Sequence, residues 1–140
     1  MFFAGDKRDD LRRRYFSAWK RHLERLPMDP LDAAIADVIA LHPEYHPLFE
    51  TPDSLHESWT VERGQTNPFL HMGLHLGLRE QVATKRPAGI EAVHARLVRR
   101  RGLHEAEHAM IEVLAAILWE AQRAGRAPDE ALYLERLKSI

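Results

Sequence analysis

The stretch LHEAEHAMIEVLAAILWEAQRA, residues 103–124, decides how the chain is read. At about 100° per residue, Met110, Leu114, Ile117, Leu118 and Ala121 fall on one broad arc, with charge opposite. Gly125 follows immediately, the residue best suited to end a helix. The stretch predicts a long amphipathic helix from Leu103 to Ala124. Within it Glu107 falls near the middle of the apolar arc, and His104 and His108 lie on its shoulder. An ionised carboxylate in that place is costly to bury without a cation or strong hydrogen bonds.

The same period runs outward in both directions. Leu11, Tyr15, Trp19, Leu23 and Leu26 predict a first helix over residues 7–26, stopped by Pro27. Asp29-Pro30 opens a second, with the aspartate as cap and a stripe of Leu31, Ile35, Val38, Ile39 and His42. Pro43 and Pro47 break it, so residues 42–50 read as a frayed end running into a turn. Asn67-Pro68 opens a third helix to about Thr84, and Arg86-Pro87 a fourth to about Arg101, closed by Gly102. A short last helix after Pro128-Asp129 carries Leu132, Leu134 and Leu137. Residues 51–66 show no helical stripe, and an irregular segment of that length suggests a functional loop. Ser58 to Val61 is its one short strand candidate. The expectation is an all-α chain, a helical bundle of five to six helices with one long loop, forming a single domain over residues 1–140.

Composition narrows the function. The chain has 140 residues, 45% hydrophobic and 29% charged, enough apolar content to bury a core. Twenty basic and 21 acidic side chains leave a formal charge of -1, which argues against nucleic acid or an anionic membrane as partner. The runs Arg12–Arg14 and Arg99–Arg101 read as solvated helix faces. Cysteine is absent, so disulfides, thiolate metal sites and cysteine nucleophiles are excluded. The apolar start is too brief for a signal peptide, and the expected location is the cytoplasm.

Nine histidines remain to be explained. Six form three His-x-x-x-His pairs: His42 with His46, His71 with His75, and His104 with His108. Random placement would give roughly half of one such pair. On a helix, residues four apart share a face, so two imidazoles can reach one ion. His71 and His75 align with Leu74, Leu78 and Val82 on a helix that is apolar nearly all round. The candidate ligands are therefore His71, His75, His104 and His108, then Glu107, then His42 and His46. Glu44, Tyr45, Arg79 and Glu80 are expected nearby. Such donors suit iron, zinc or manganese, with one ion or two, in an oxidative, hydrolytic or sensing role on a small-molecule ligand. The competing reading is a non-catalytic module whose buried histidines form a hydrogen-bond network with carboxylates. His22, His56 and His94 lack a partner at this spacing and read as structural or exposed.

Two further readings carry less. His104-Glu105-x-x-His108 formally matches the zincin motif, but Glu105 is turned towards the polar side of its helix. Haem held by two histidines is a third option.

The stretches HPEYH (His42–His46), NPFLHMGLH (Asn67–His75) with REQ, HEAEH (His104–His108), LWEAQ, PDE and YLE, with FSAW near the start, resemble a family of small bacterial proteins catalogued as a domain of unknown function. The resemblance spans nearly the whole chain. It implies a helical cytoplasmic protein and supplies no activity or catalytic residues.

Overall fold

The computed structural model describes residues 4–51, 54, 55, 59 and 67–140, with side chains from Arg8 onward. Among them the chain is all-α, with six α-helices and one 3-10 segment. The helices are α1 (Ala4–Leu23), α2 (Pro30–Ala40), α3 (Pro68–Thr84), α4 (Ile90–Arg101), α5 (Leu103–Ala124) and α6 (Glu130–Lys138), with the 3-10 segment at Pro43–Glu50. The strand expected near Trp59 lies, that residue apart, outside the described residues, as does His56. No described helix is long and apolar enough to cross a membrane. The chain divides into two compact units, Met1–Met72 and Gly73–Ile140, and the division falls inside the continuous helix α3.

In the first unit, α1 packs on α2. Asp29 caps α2 by accepting from the Asp32 N–H at 2.8 Å, and Pro30 occupies the first helical turn. Arg14 of α1 donates to Asp29 and Asp32, each at 2.9 Å, and so ties α1 to that cap. The Asp32 N–H bond, with Arg14 beside it, holds the Asp29 carboxyl below its ordinary value. The buried face of α1 is turned from the expected stripe. Tyr15, Ala18 and Trp19 are buried, whereas Leu11 and Leu23 are more than half exposed. Arg12 takes the place expected of Leu11. Its guanidinium lies over Phe69 and Trp59, at 4.7 and 5.2 Å, and gives a hydrogen bond to the Leu55 carbonyl. Cation–π contact and a carbonyl acceptor make that burial tolerable, and apolar pattern alone cannot signal it. In α2, Ile35, Val38 and Ile39 are buried as expected, as is His42 just beyond its end, but Leu31 is exposed.

The second unit is built on α4, α5, α6 and the Leu78 end of α3. Leu78, Ile90, Leu97, Met110, Ile117, Tyr133 and Leu137 belong to one hydrophobic cluster. Tyr133, rather than Leu132 or Leu134, fills the centre of α6, and its hydroxyl donates to Gln81 at 2.7 Å. The helix boundaries follow backbone chemistry. After α1, Arg25 adopts φ 57° and the Leu26 N–H turns back to the Arg21 carbonyl at 2.9 Å. After α3, Lys85 adopts φ 58° and the Arg86 N–H reaches the Gln81 carbonyl at 3.0 Å. After α5, Gly125 makes the same reversal, with Arg126 bonded to Ala121. These are Schellman-type endings, two of them built without glycine. α1 therefore ends at Leu23, before the expected Leu26. α4 starts at Ile90 rather than near Pro87, because Gly89 sits at φ 101° and cannot be part of a right-handed helix.

Each unit carries one deeply buried tyrosine whose phenol burial pushes up to about 12, Tyr15 in the first and Tyr133 in the second. An acid with a raised folded pKa stabilises the fold below its unfolded value, and that contribution is lost as pH rises towards the folded one. Thermal stability should therefore fall between pH 10 and about 12. The phenolate absorbance of these two residues should appear only as helical circular dichroism is lost. Two phenolates titrating near pH 10 in a fully helical protein would contradict this.

Candidate metal centre

His42 owes its place to the end of α2. Proline disfavours helical geometry in the residue before it, and His42, preceding Pro43, leaves the helix at φ -124°, ψ 69°. Its ring folds back, and Nδ1 donates to the Val38 carbonyl at 2.7 Å. His46 does likewise through its other nitrogen, Nε2, which donates to the Ile39 carbonyl at 2.9 Å while the ring packs on Trp19. Both rings thus satisfy carbonyls at the end of α2, a common duty for histidine there. They differ in surroundings. The His42 ring is buried, stacks in parallel on Tyr45 and meets the His71 ring edge-on at 5.0 Å. Burial, with Glu44 adding to it, pushes the Tyr45 phenol up.

His71 and His75 lie four apart on α3, whose start is capped by the Asn67 side chain accepting from the Phe69 and Leu70 N–H groups. In the second unit His75 is 2% exposed, and its Nδ1 bonds Oε1 of Glu107 at 2.5 Å. Arg79, one turn further along α3, gives its Nε–H to the same carboxylate at 3.0 and 3.3 Å. Glu107 is 3% exposed, as its place on the apolar arc of α5 required. Burial pushes its carboxyl up. The His75 hydrogen bond and the Arg79 charge more than offset that, holding it below the ordinary value. His108 meets the His75 ring edge-on at 4.7 Å, and its Nδ1 donates to the His104 carbonyl at 2.9 Å. His104 is exposed and contributes that carbonyl, its ring lying 4.3 Å from His108. Glu105, the base a zincin would need, is also exposed.

The ring nitrogens can be assigned from these partners. A carbonyl oxygen only accepts, so Nδ1 of His42 and of His108 carries the hydrogen. The ionised Glu107 makes the same demand of His75. In the neutral form of each ring the lone pair is then on Nε2, the atom that ligates a cation. Within the first unit a ring nitrogen of His42 lies within 4.8 Å of one of His71, and within the second the same holds for His75 and His108. His71 and His75 lie one turn apart in the sequence of α3. His46, His104 and Glu107 are outside that group of donor atoms, each with the separate partner described above.

Which histidines come together could be read from spacing only in part. The His71–His75 pair and the burial of Glu107 follow from helical period. The carbonyls of Val38 and His104 that orient two rings leave no mark in the side-chain pattern. Removing Arg79 should expose the cost of the Glu107 charge. Arg79→Met should destabilise the metal-free protein by about 1.5–3 kcal/mol, towards the lower figure because the guanidinium is partly solvated. Denaturant unfolding measures this, and an unchanged midpoint would mean that Arg79 does not hold the carboxylate.

No curated protein and no solved structure matches this chain. The family described as a domain of unknown function (DUF1841) matches residues 7–139, nearly all of the sequence, and the chain belongs to that family.

Proposed function

We propose that the protein binds a transition-metal ion through His42, His71, His75 and His108. The observation that carries this reading is the assignment of ring nitrogens. Three of the four imidazoles commit Nδ1 to a protein acceptor. This outer hydrogen bond is the arrangement that orients metal-ligating histidines. α3 supports the joining of all four, because His71 and His75 lie one turn apart on it and each has a second histidine against it. A tetrahedral ion with bonds of about 2.0–2.1 Å sets its nitrogens ~3.4 Å apart. Within each unit the paired nitrogens, less than 4.8 Å apart, close to that value by modest ring rotations.

Four neutral nitrogens and no oxygen donor favour zinc, copper, nickel, cobalt or iron over manganese, and disfavour calcium and magnesium. Four protein ligands also fill a tetrahedral ion, whereas hydrolytic zinc sites keep one position for water. The reading is therefore a centre that holds or senses a metal, or passes electrons, in preference to a hydrolase.

A histidine network without metal accounts for the same hydrogen bonds, and elemental analysis separates the two. Protein purified without an affinity tag should contain or take up about one equivalent of metal. His75→Ala and His42→Ala should each weaken uptake more than about 100-fold, while His104→Ala leaves it unchanged. Less than about a tenth of an equivalent in the natural sequence, with no affinity on reconstitution, favours the network.

A further inference from the structure

We infer that Glu107 is a positioning residue: its carboxylate, anchored by Arg79, takes the Nδ1 hydrogen of His75 and presents the ring's Nε2 as the donor. The metal role of this contact rests on the centre proposed above, but the contact and its consequence for His75 do not.

A buried carboxylate among histidines is ordinarily read as one more ligand, and helical spacing alone gives Glu107 that part. Its geometry argues otherwise. Oε1 already accepts from His75 Nδ1 at 2.5 Å and from Arg79 Nε at 3.0 Å, and Oε2 lies 3.3 Å from the same Arg79 nitrogen. Both oxygens therefore face a hydrogen-bond donor. Nδ1 and Nε2 lie on opposite sides of an imidazole, so a carboxylate bonded to Nδ1 stands behind the ring as seen from an ion on Nε2. Glu107 is 3% exposed and His75 is 2% exposed, so water cannot readily replace either partner. Arg79 completes the arrangement from the same helix as His75, one turn on, so ring and anchor are carried by one rigid element. Outer carboxylates of this kind raise ligand basicity, and their loss typically costs 10–100-fold in metal affinity.

Two readouts test the assignment. In metal-free protein, long-range proton–nitrogen NMR of the histidine rings should find His75 with its hydrogen on Nδ1. Glu107→Gln should keep the fold but loosen that preference, and Glu107→Ala should abolish it. With cobalt(II) as the probe, Glu107→Gln should bind about 10–100-fold more weakly, and its absorption spectrum at saturation should match that of the natural sequence. An altered spectrum at saturation would make Glu107 a ligand and overturn the proposal. So would a His75 hydrogen on Nε2 in the metal-free natural sequence. If the natural sequence takes up no cobalt(II), the metal centre fails by itself, and the NMR result still decides the orientation of His75 by Glu107.

Discussion

A histidine can serve a metal only if one ring nitrogen is kept as a lone pair, and the surest way to keep it is to occupy the other. In this chain that constraint is met three times by different means. The carbonyl of Val38 holds His42, that of His104 holds His108, and the carboxylate of Glu107 holds His75. In each case the acceptor can only accept, so the choice of nitrogen is forced. The two carbonyls cost the sequence nothing, since both belong to helices already present. The carboxylate is different. Its burial is unfavourable unless charge and hydrogen bonds offset it, and Arg79 together with His75 provides both.

The positions of these groups depend on where helices stop. Pro43 forces His42 out of α2, and the freed ring turns back onto the helix it has just left. The neighbouring His46 has the same opportunity and uses the other ring nitrogen, Nε2. A spacing of four residues therefore has opposite meanings at two of its three occurrences. Within α3 it places two rings on one face. Across the 3-10 segment it sends one ring to a carbonyl and towards Trp19. Gly102, at φ 86°, lets α5 begin directly after α4, so the first turn of α5 carries His104 and the second His108.

Helical content, the caps at Asp29 and Asn67, and the whole extent of α5 could be read from periodicity and capping residues alone. So could the burial of Glu107 and the pairing of His71 with His75 on one face. Other features resisted for identifiable reasons. Arg12 is buried because aromatic rings and a carbonyl surround it, a tertiary fact invisible to an apolar stripe. The end of α1 uses Arg25 in the left-handed conformation, so a search for glycine overlooks it. For Glu107, helical period places the side chain on a buried face but does not say which groups stand beside it, here His75 and Arg79.

The central claim concerns which atoms would surround an ion, and X-ray absorption at the metal edge reads that shell directly. For zinc-loaded protein the account predicts about four nitrogen neighbours at 2.0–2.1 Å, with the outer scattering of about four imidazole rings. A shell made mainly of oxygen, with one ring or none, would contradict it.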